Sequence, residues 1–120
     1  MKFENNLPIY VQIVDYLKRQ IISGILKEGD KLPSVREIAT ELKVNPNTVQ
    51  RSYQELEREN LVFTQRGMGT FVTEDKKVIK ELKKNLANNV LNNFIDDMKA
   101  LGFSSKDIVE LINERVREEK

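Results

Sequence analysis

The spacing of apolar residues predicts three helices within the first half of the chain. Over residues 7–22, isoleucine, leucine and valine side chains recur three to four positions apart, which places them on one face of a helix. Asn6 is a suitable N-cap for this helix, and Gly24 is a suitable residue to end it. Two shorter amphipathic segments follow, at residues 35–42 and 46–59, so the first half is expected to be helical.

The second and third predicted helices are separated by only a tight connection. Ser34, with Glu37 three residues later, has the spacing of a capping box at the start of the second helix. Asn45 can cap the third helix, and Pro46 suits its first position, where a backbone N–H would lack a partner anyway. The sequence therefore predicts where the second and the third helix each begin.

After residue 60 the pattern changes from helix to strand. Residues 61–65 and 70–73 are rich in β-branched and aromatic side chains, and the glycine-containing residues 66–69 between them predict a hairpin turn. Residues 31–33, just before the second helix, are too few to form more than a strand stub. Three helices followed by a hairpin is the layout of a winged helix-turn-helix domain, which we assign to residues 7–75.

From Lys76 onward, two more amphipathic helices are predicted. The first carries an apolar stripe with members three or four positions apart and ends at Gly102. The stripe consists of Ile79, Leu82, Leu86, Val90, Phe94, Met98 and Leu101. Ser104 and Asp107 form a second capping arrangement in front of the last helix. The predicted fold is thus mostly α-helical, with a small β-hairpin wing and a two-helix tail at residues 76–120.

The apolar stripe of the tail needs something to cover it. It could fold back on the winged domain, but a helix of about 23 residues is about 35 Å long, which exceeds what a small domain can cover. Two short helices cannot bury such a stripe by themselves, whereas a two-fold partner can. We therefore predict that the tail is a homodimerisation segment and that the seven stripe residues form the contact.

Composition excludes most catalytic chemistry. The 120 residues are 39% apolar and 32% charged, and they contain neither cysteine nor histidine. The usual ligands of zinc and the usual nucleophiles and bases are thereby missing, so we expect no enzyme, no metal site and no cofactor. A hydrolase that uses carboxylates alone is a remote alternative. Neither a membrane-length apolar run nor a signal-peptide pattern is present, so we expect a cytoplasmic protein.

Bulk charge gives no argument for nucleic-acid binding. The chain has a net charge of +1, and residues 1–75 contain 10 lysines and arginines against 11 acidic residues. This net −1 supports one rival interpretation, a winged-helix adaptor that binds proteins instead of DNA. A case for DNA binding must therefore rest on where particular charges lie.

Three motifs, in order, resemble those of GntR-type bacterial transcription regulators. Residues 32–39 (LPSVREIA) resemble the second helix of that family, residues 44–57 (VNPNTVQRSYQELE) its recognition helix, and residues 67–72 (GMGTFV) its wing. The short two-helix tail is similar to that of the YtrA-like subgroup. The resemblance implies a homodimeric regulator, expected to be a repressor, that binds a pseudo-palindromic operator in double-stranded DNA.

The third helix carries the side chains that can contact bases. A recognition helix presents its first turns to the major groove, and here those turns contain Asn47, Thr48, Gln50 and Arg51. Asparagine and glutamine can bond adenine, arginine can bond guanine, and a threonine methyl can pack on thymine. The alternative is that these four side chains only form a solvent-exposed polar face of the helix and contact nothing.

Residues at the start of the second helix are further candidates. The resemblance implies that the arginine at the position of Arg36 reaches DNA, whereas the alternative is an exposed partner for Glu41. Ser34 can bind phosphate as well as cap the helix, because a helix N-terminus offers N–H groups to an anion. Lys31 lies just upstream and can add a phosphate contact.

The predicted wing completes the set of DNA contacts. Arg66 lies at the hairpin tip, where it can enter the minor groove or touch phosphate. Gly67 and Gly69 suit a tip that needs positive φ angles or close approach of the backbone. Pro46 and Gln50 replace basic residues that many family members carry, so the resemblance does not predict the operator sequence. It also leaves open a small-molecule effector and any DNA contact by the lysines of residues 76–84.

Overall fold

The computed structural model describes residues 1–119, and these form helices and one two-stranded antiparallel hairpin. In chain order the elements are α1 (Ile9–Ile22), α2 (Val35–Leu42), α3 (Pro46–Arg58), β1 (Val62–Gln65), β2 (Gly69–Val72), α4 (Lys76–Ala100) and α5 (Ser105–Glu118). The predicted mostly helical fold with a hairpin wing is confirmed. The strands differ from the prediction by a single residue at their ends.

The start of α1 differs from the prediction. Pro8 occupies the N-cap position, not Asn6, and no side chain caps the helix there. The carbonyl of Pro8 accepts the first hydrogen bonds, from the backbone N–H groups of Val11 and Gln12. The Gln12 side chain folds back and bonds the backbone of Glu4 and Leu7, so residues 4–7 are tied to the helix without joining it.

The chain divides into two compact units, Met1–Lys83 and the segment from Lys84 onward, with the division inside α4. In the first unit α3 is central, because it packs against α1, α2 and β1. Its core is formed by side chains that are almost completely inaccessible to solvent. The largest apolar side chains that are fully buried are Ile13, Leu17, Val49, Leu56 and Val72.

The hairpin pairs Val62 with Val72 and Gln65 with Gly69 at its two ends. The predicted strand stub is present beside it. The backbone N–H of Leu32 donates to the carbonyl of Thr70 at 2.8 Å, and Lys31 forms an isolated antiparallel bridge with Phe71. The segment before α2 is therefore attached to the wing.

The predicted helix starts of the helix-turn-helix are confirmed. The Ser34 side chain accepts from the backbone N–H of Glu37, and the Glu37 side chain accepts from that of Ser34, which completes the capping box. Asn45 Oδ1 accepts from the backbone N–H of Asn47 at 2.8 Å, with Pro46 at the first helical position. Lys43 turns the chain between the helices in the left-handed region, at φ 58°.

The second unit contains the rest of α4 and the whole of α5. The predicted capping box of Ser104 and Asp107 is confirmed at the start of α5. Among the described residues of this unit, Ile108 is the single buried apolar side chain. Both helices are thus locally well formed, but they enclose almost no core of their own.

Candidate nucleic-acid interface

The inner face of α3 is anchored to its neighbours by two hydroxyl groups. Ser52 is fully buried, and its hydroxyl lies 3.0 Å from the carbonyl oxygen of Tyr10 on α1 and 3.1 Å from that of Thr48. The Tyr53 hydroxyl donates to the carbonyl of Pro33 at 2.6 Å. Burial, helped by the nearby Glu37 carboxylate, raises the pKa of Tyr53 well above its ordinary value of 10.0, so this donor keeps its proton.

The outer face of α3 holds the residues predicted to contact bases. Asn47, Gln50 and Arg51 are exposed, whereas Thr48 is half-buried. The Cζ atom of Arg51 lies 3.8 Å from the centroid of the Tyr10 ring, which is a cation–π contact. Sequence reasoning missed Tyr10 because the helical spacing of α1 accounted for it as an apolar position.

Arg36 is exposed in the first turn of α2. Among residues 1–119, no carboxylate lies within ion-pair distance of it, so the pairing with Glu41 that we considered is absent. The Ser34 hydroxyl oxygen accepts from the backbone N–H of Glu37 within the capping box, and its O–H also interacts with the Glu37 carboxylate. The backbone N–H and the hydroxyl of Ser34 hold the pKa of Glu37 below its ordinary value of 4.5, so an anion remains at this helix end.

The wing tip is a tight turn that two glycines make possible. Gly67 has a φ of +80°, and Gly69 has a φ of +126°. A Cβ atom on Gly69 would lie 2.7 Å from Cε of Lys31, so the glycine also gives the Lys31 side chain room to cross the wing. Arg66 and Met68 are exposed on either side of Gly67. Lys31 and the wing, two separate candidates in the sequence, therefore lie together.

The predicted dimer stripe is divided between the two units. Leu82 belongs to the first unit and is only 7% exposed, so it has little surface left for a second copy. Ile79 in the first unit and Leu86 and Met98 in the second are half-buried. The remaining three members, Val90, Phe94 and Leu101, are exposed in a single chain.

The apolar surface of the second unit is wider than the predicted stripe. It includes further exposed side chains on α4, α5 and their connection. These are Leu91, Phe103, Val109, Leu111, Ile112 and Val116. Phe94 and Met98 line an apolar groove of about 350 Å³ together with Leu111, Ile112 and Val116. The amphipathic pattern of the last helix identifies Leu111, Ile112 and Val116 as one apolar face. It does not show that this face lines a groove together with α4.

A family model described as bacterial regulatory proteins, gntR family, matches residues 9–72, which include α1, the helix-turn-helix and the wing. This chain belongs to the GntR family. GntR-family proteins are regulators and not enzymes, so both of these expectations are confirmed. The resemblance to this family is confirmed as well. In the described part of the chain no helix is long and apolar enough to cross a membrane.

Individual GntR-family relatives match almost the whole chain. The transcriptional repressor YtrA of Bacillus subtilis is 42% identical over 111 residues, which is 92% of this chain and 85% of that protein. The structure of a GntR-family regulator from Listeria monocytogenes has a TM-score of 0.86 at 44% identity and covers 93% of this chain and 98% of that one. The likeness thus includes the tail as well as the winged domain.

A third likeness is confined to part of the chain. The structure of AraR(DBD) in complex with operator ORX1 has a TM-score of 0.57 at 25% identity. It covers 60% of this chain and 93% of that chain. A part of this chain is thus similar to a protein crystallised on its operator.

Proposed function

We propose that this GntR-family protein is a repressor that binds a pseudo-palindromic operator as a homodimer. The recognition helix α3 lies in the major groove, and the wing contacts the adjacent groove or the phosphates. The observation that carries the proposal is the two-sided character of α3. Its inner face is held by buried apolar and hydroxyl contacts, whereas its outer face presents exposed amide and guanidinium groups.

The base-reading residues in this proposal are Asn47, Thr48, Gln50 and Arg51 on α3, together with Arg36 on α2. Amide and guanidinium side chains on a helix in the major groove distinguish adenine and guanine by paired hydrogen bonds. The exposed Arg36 side chain supports the assignment, because no carboxylate in the described chain forms an ion pair with its guanidinium. The half-buried Thr48 has only its exposed side for a thymine methyl.

Phosphate contacts come from the segment before α2 and from the wing. The O–H of Ser34, once it turns away from the Glu37 carboxylate, and the ammonium of Lys31 can each bind a phosphate oxygen, and Arg66 extends the positive charge to the hairpin tip. Gly67 and Gly69 keep the tip free of bulky side-chain stems, which allows the backbone to approach DNA. The Glu37 carboxylate beside Ser34 opposes an anion, so we assign Ser34 a smaller share of the affinity than Lys31.

The homodimer is proposed from the exposed apolar surface of the second unit. Such a surface in an isolated chain is typical of an interface, and a two-fold partner would bury it against its own copy. A two-fold dimer also explains why the operator should be pseudo-palindromic, because each recognition helix reads one half-site. The repressor assignment is supported by the likeness to YtrA, which is itself a repressor.

Arg36→Ala tests whether the proposed site reads bases. DNA retained from a random-sequence pool by the wild-type protein provides the selected duplex, and a scrambled duplex provides the comparison. We expect Arg36→Ala to weaken binding to the selected duplex by about 1–3 kcal/mol per half-site and to relax the preference at one position. Fluorescence anisotropy at several salt concentrations measures both effects.

Lys80→Ala is the matched control for that experiment, since Lys80 is an exposed cation outside the helix-turn-helix and the wing. If Lys80 contacts phosphate, the loss of affinity should be equal on both duplexes and the substitution should reduce the salt dependence of binding. Equal losses on both duplexes for Arg36→Ala would reassign Arg36 as a phosphate contact. Failure of the wild-type protein to retain any duplex would favour the protein-binding adaptor.

A further inference from the structure

The contact between Tyr10 and Arg51 joins the first turn of α1 to the recognition helix. The guanidinium carbon of Arg51 lies 3.8 Å from the centroid of the Tyr10 ring, close enough for the ring face to attract the cation. Tyr10 is half-buried, whereas Arg51 is exposed. A long, exposed arginine would otherwise sample many rotamers, so the ring restricts where its guanidinium can lie.

The backbone that carries the ring is tied to the recognition helix by a hydrogen bond. The hydroxyl of Ser52, the residue next to Arg51, is 3.0 Å from the carbonyl oxygen of Tyr10. Ser52 has no exposed surface, and this hydrogen bond links the backbone of α1 directly to α3. The backbone of Tyr10 and the helix that carries Arg51 are therefore fixed relative to each other.

Stacking on a ring leaves the hydrogen-bonding capacity of an arginine largely intact. The five N–H groups of a guanidinium point outward in its plane, while the attraction to an aromatic ring uses its face. In residues 1–119 no carboxylate lies within ion-pair distance of Arg51. Its N–H groups thus remain available for guanine or phosphate.

We propose that Tyr10 is a positioning residue that holds Arg51 in the orientation in which it contacts DNA. The proposal rests on the proposed function, since it assumes that α3 meets DNA through Arg51. It adds a specificity determinant that lies outside the helix-turn-helix and the wing. Arg51 is ordered before DNA arrives, so less conformational freedom is lost on binding.

Substitution of the Tyr10 ring separates this role from a merely structural one. We expect Tyr10→Leu to weaken binding to the selected duplex by about two- to fivefold per half-site, the fold-change that an exposed cation–π contact supports. It should also relax the base preference at the position that Arg51 reads. Tyr10→Phe keeps the ring and should restore both affinity and preference. The matched control is Tyr16→Leu, which removes a tyrosine of the same helix whose hydroxyl bonds Gln20, and it should leave binding unchanged.

A double-substitution cycle shows whether Tyr10 acts through Arg51. Once Arg51→Ala has removed the cation, adding Tyr10→Leu should cause no further loss of affinity. Additive losses would overturn the proposal, as would a Tyr10→Phe variant that binds as weakly as Tyr10→Leu. If Arg51→Ala binds like the wild type while Arg36→Ala does not, the proposal fails and the proposed function stands. If the wild type selects no DNA, both fail.

A measurement on the DNA-free wild-type protein keeps the proposal testable even if Tyr10→Leu does not fold. A proton over the face of an aromatic ring is shielded, so the NMR signals of the Arg51 side chain should lie upfield of those of the other arginines. Their order parameters should also be higher. Arg51 signals at ordinary positions with ordinary mobility would show that the contact is absent in solution and would overturn the proposal.

Discussion

The two units of this chain form helices equally well but bury very different amounts of apolar surface. Among the described residues the first unit holds all the buried apolar side chains except Ile108, and its central helix α3 contacts three other elements. The second unit has an intact capping box on α5 yet leaves Val90 54% and Leu101 72% exposed. Local signals are therefore enough to form helices, whereas a core requires elements from several parts of the chain.

The two units also differ in the source of their stability. The first unit can be stabilised by its own interior, so its unfolding should not depend on protein concentration. The second unit exposes the apolar groove of Phe94, Met98, Leu111, Ile112 and Val116, so its stability should depend on a second copy of the chain. Three experiments test this difference between the units.

The largest effect is expected from a truncation in the interior of the first unit. Leu56 is fully buried on α3, and Leu56→Ala should lower the free energy of unfolding by about 2–5 kcal/mol, through lost apolar burial and a residual cavity. Urea unfolding followed by tyrosine fluorescence measures it, since Tyr10, Tyr16 and Tyr53 all belong to this unit. Leu111→Ala, in the second unit, should change the same transition by less than about 0.5 kcal/mol. A loss from Leu111→Ala as large as that from Leu56→Ala would show that the two units do not differ in this way.

A smaller effect, confined to self-association, is expected from the groove of the second unit. Phe94→Ala and Ile112→Ala should each weaken the dimer by more than about 1 kcal/mol, because each shortens an apolar side chain at the centre of the proposed contact. Sedimentation equilibrium at micromolar concentrations measures the dissociation constant. Asn88→Ala changes an exposed polar residue of α4 and should leave that constant as it is. A wild-type protein that sediments as a monomer would remove the proposed interface altogether.

The smallest effect is a pH dependence that originates in the capping box of α2. The lowered pKa of Glu37 means that its carboxylate stabilises the folded first unit above pH 4.5, and this contribution is lost as the pH falls below that value. Glu37→Gln should remove this part of the acid dependence in urea unfolding curves. Glu41→Gln, on the same helix but outside the box, is the control and should retain it. Identical acid profiles for the wild type and Glu37→Gln would mean that the box does not couple to folding.

Signals within a few residues were read correctly from the sequence, with one exception. Ser34 with Glu37, Asn45 with Pro46, and the glycine-containing hairpin could be recognised because the groups that interact are close in the chain. The start of α1 was predicted wrongly because Asn6 is of a residue type that caps helices well, whereas in the structure the helix begins after Pro8 with no side-chain cap. The side chain of Gln12 explains the outcome, since it holds the backbone of the preceding residues outside the helix.

Contacts between distant residues were out of reach of the same reasoning. Lys31 and Gly69 are separated by two helices and a strand, and only the bridge to Phe71 brings the lysine across the wing. Likewise, nothing in the spacing of α1 indicated that Tyr10 would lie under Arg51. Such pairs form because the core sets the positions of whole helices, and that depends on the packing of many side chains at once.

The order of the elements, the capped helix starts, the tight wing turn and the family could be predicted without a structure, because each rests on short-range spacing or on a motif of adjacent residues. Which members of an apolar stripe are buried within the chain depends instead on tertiary packing. Leu82 and Val90 have the same place in the periodic pattern, yet Leu82 is 7% exposed and Val90 is 54% exposed. Periodicity specifies which face of a helix is apolar, but burial depends on what is packed against that face along its length.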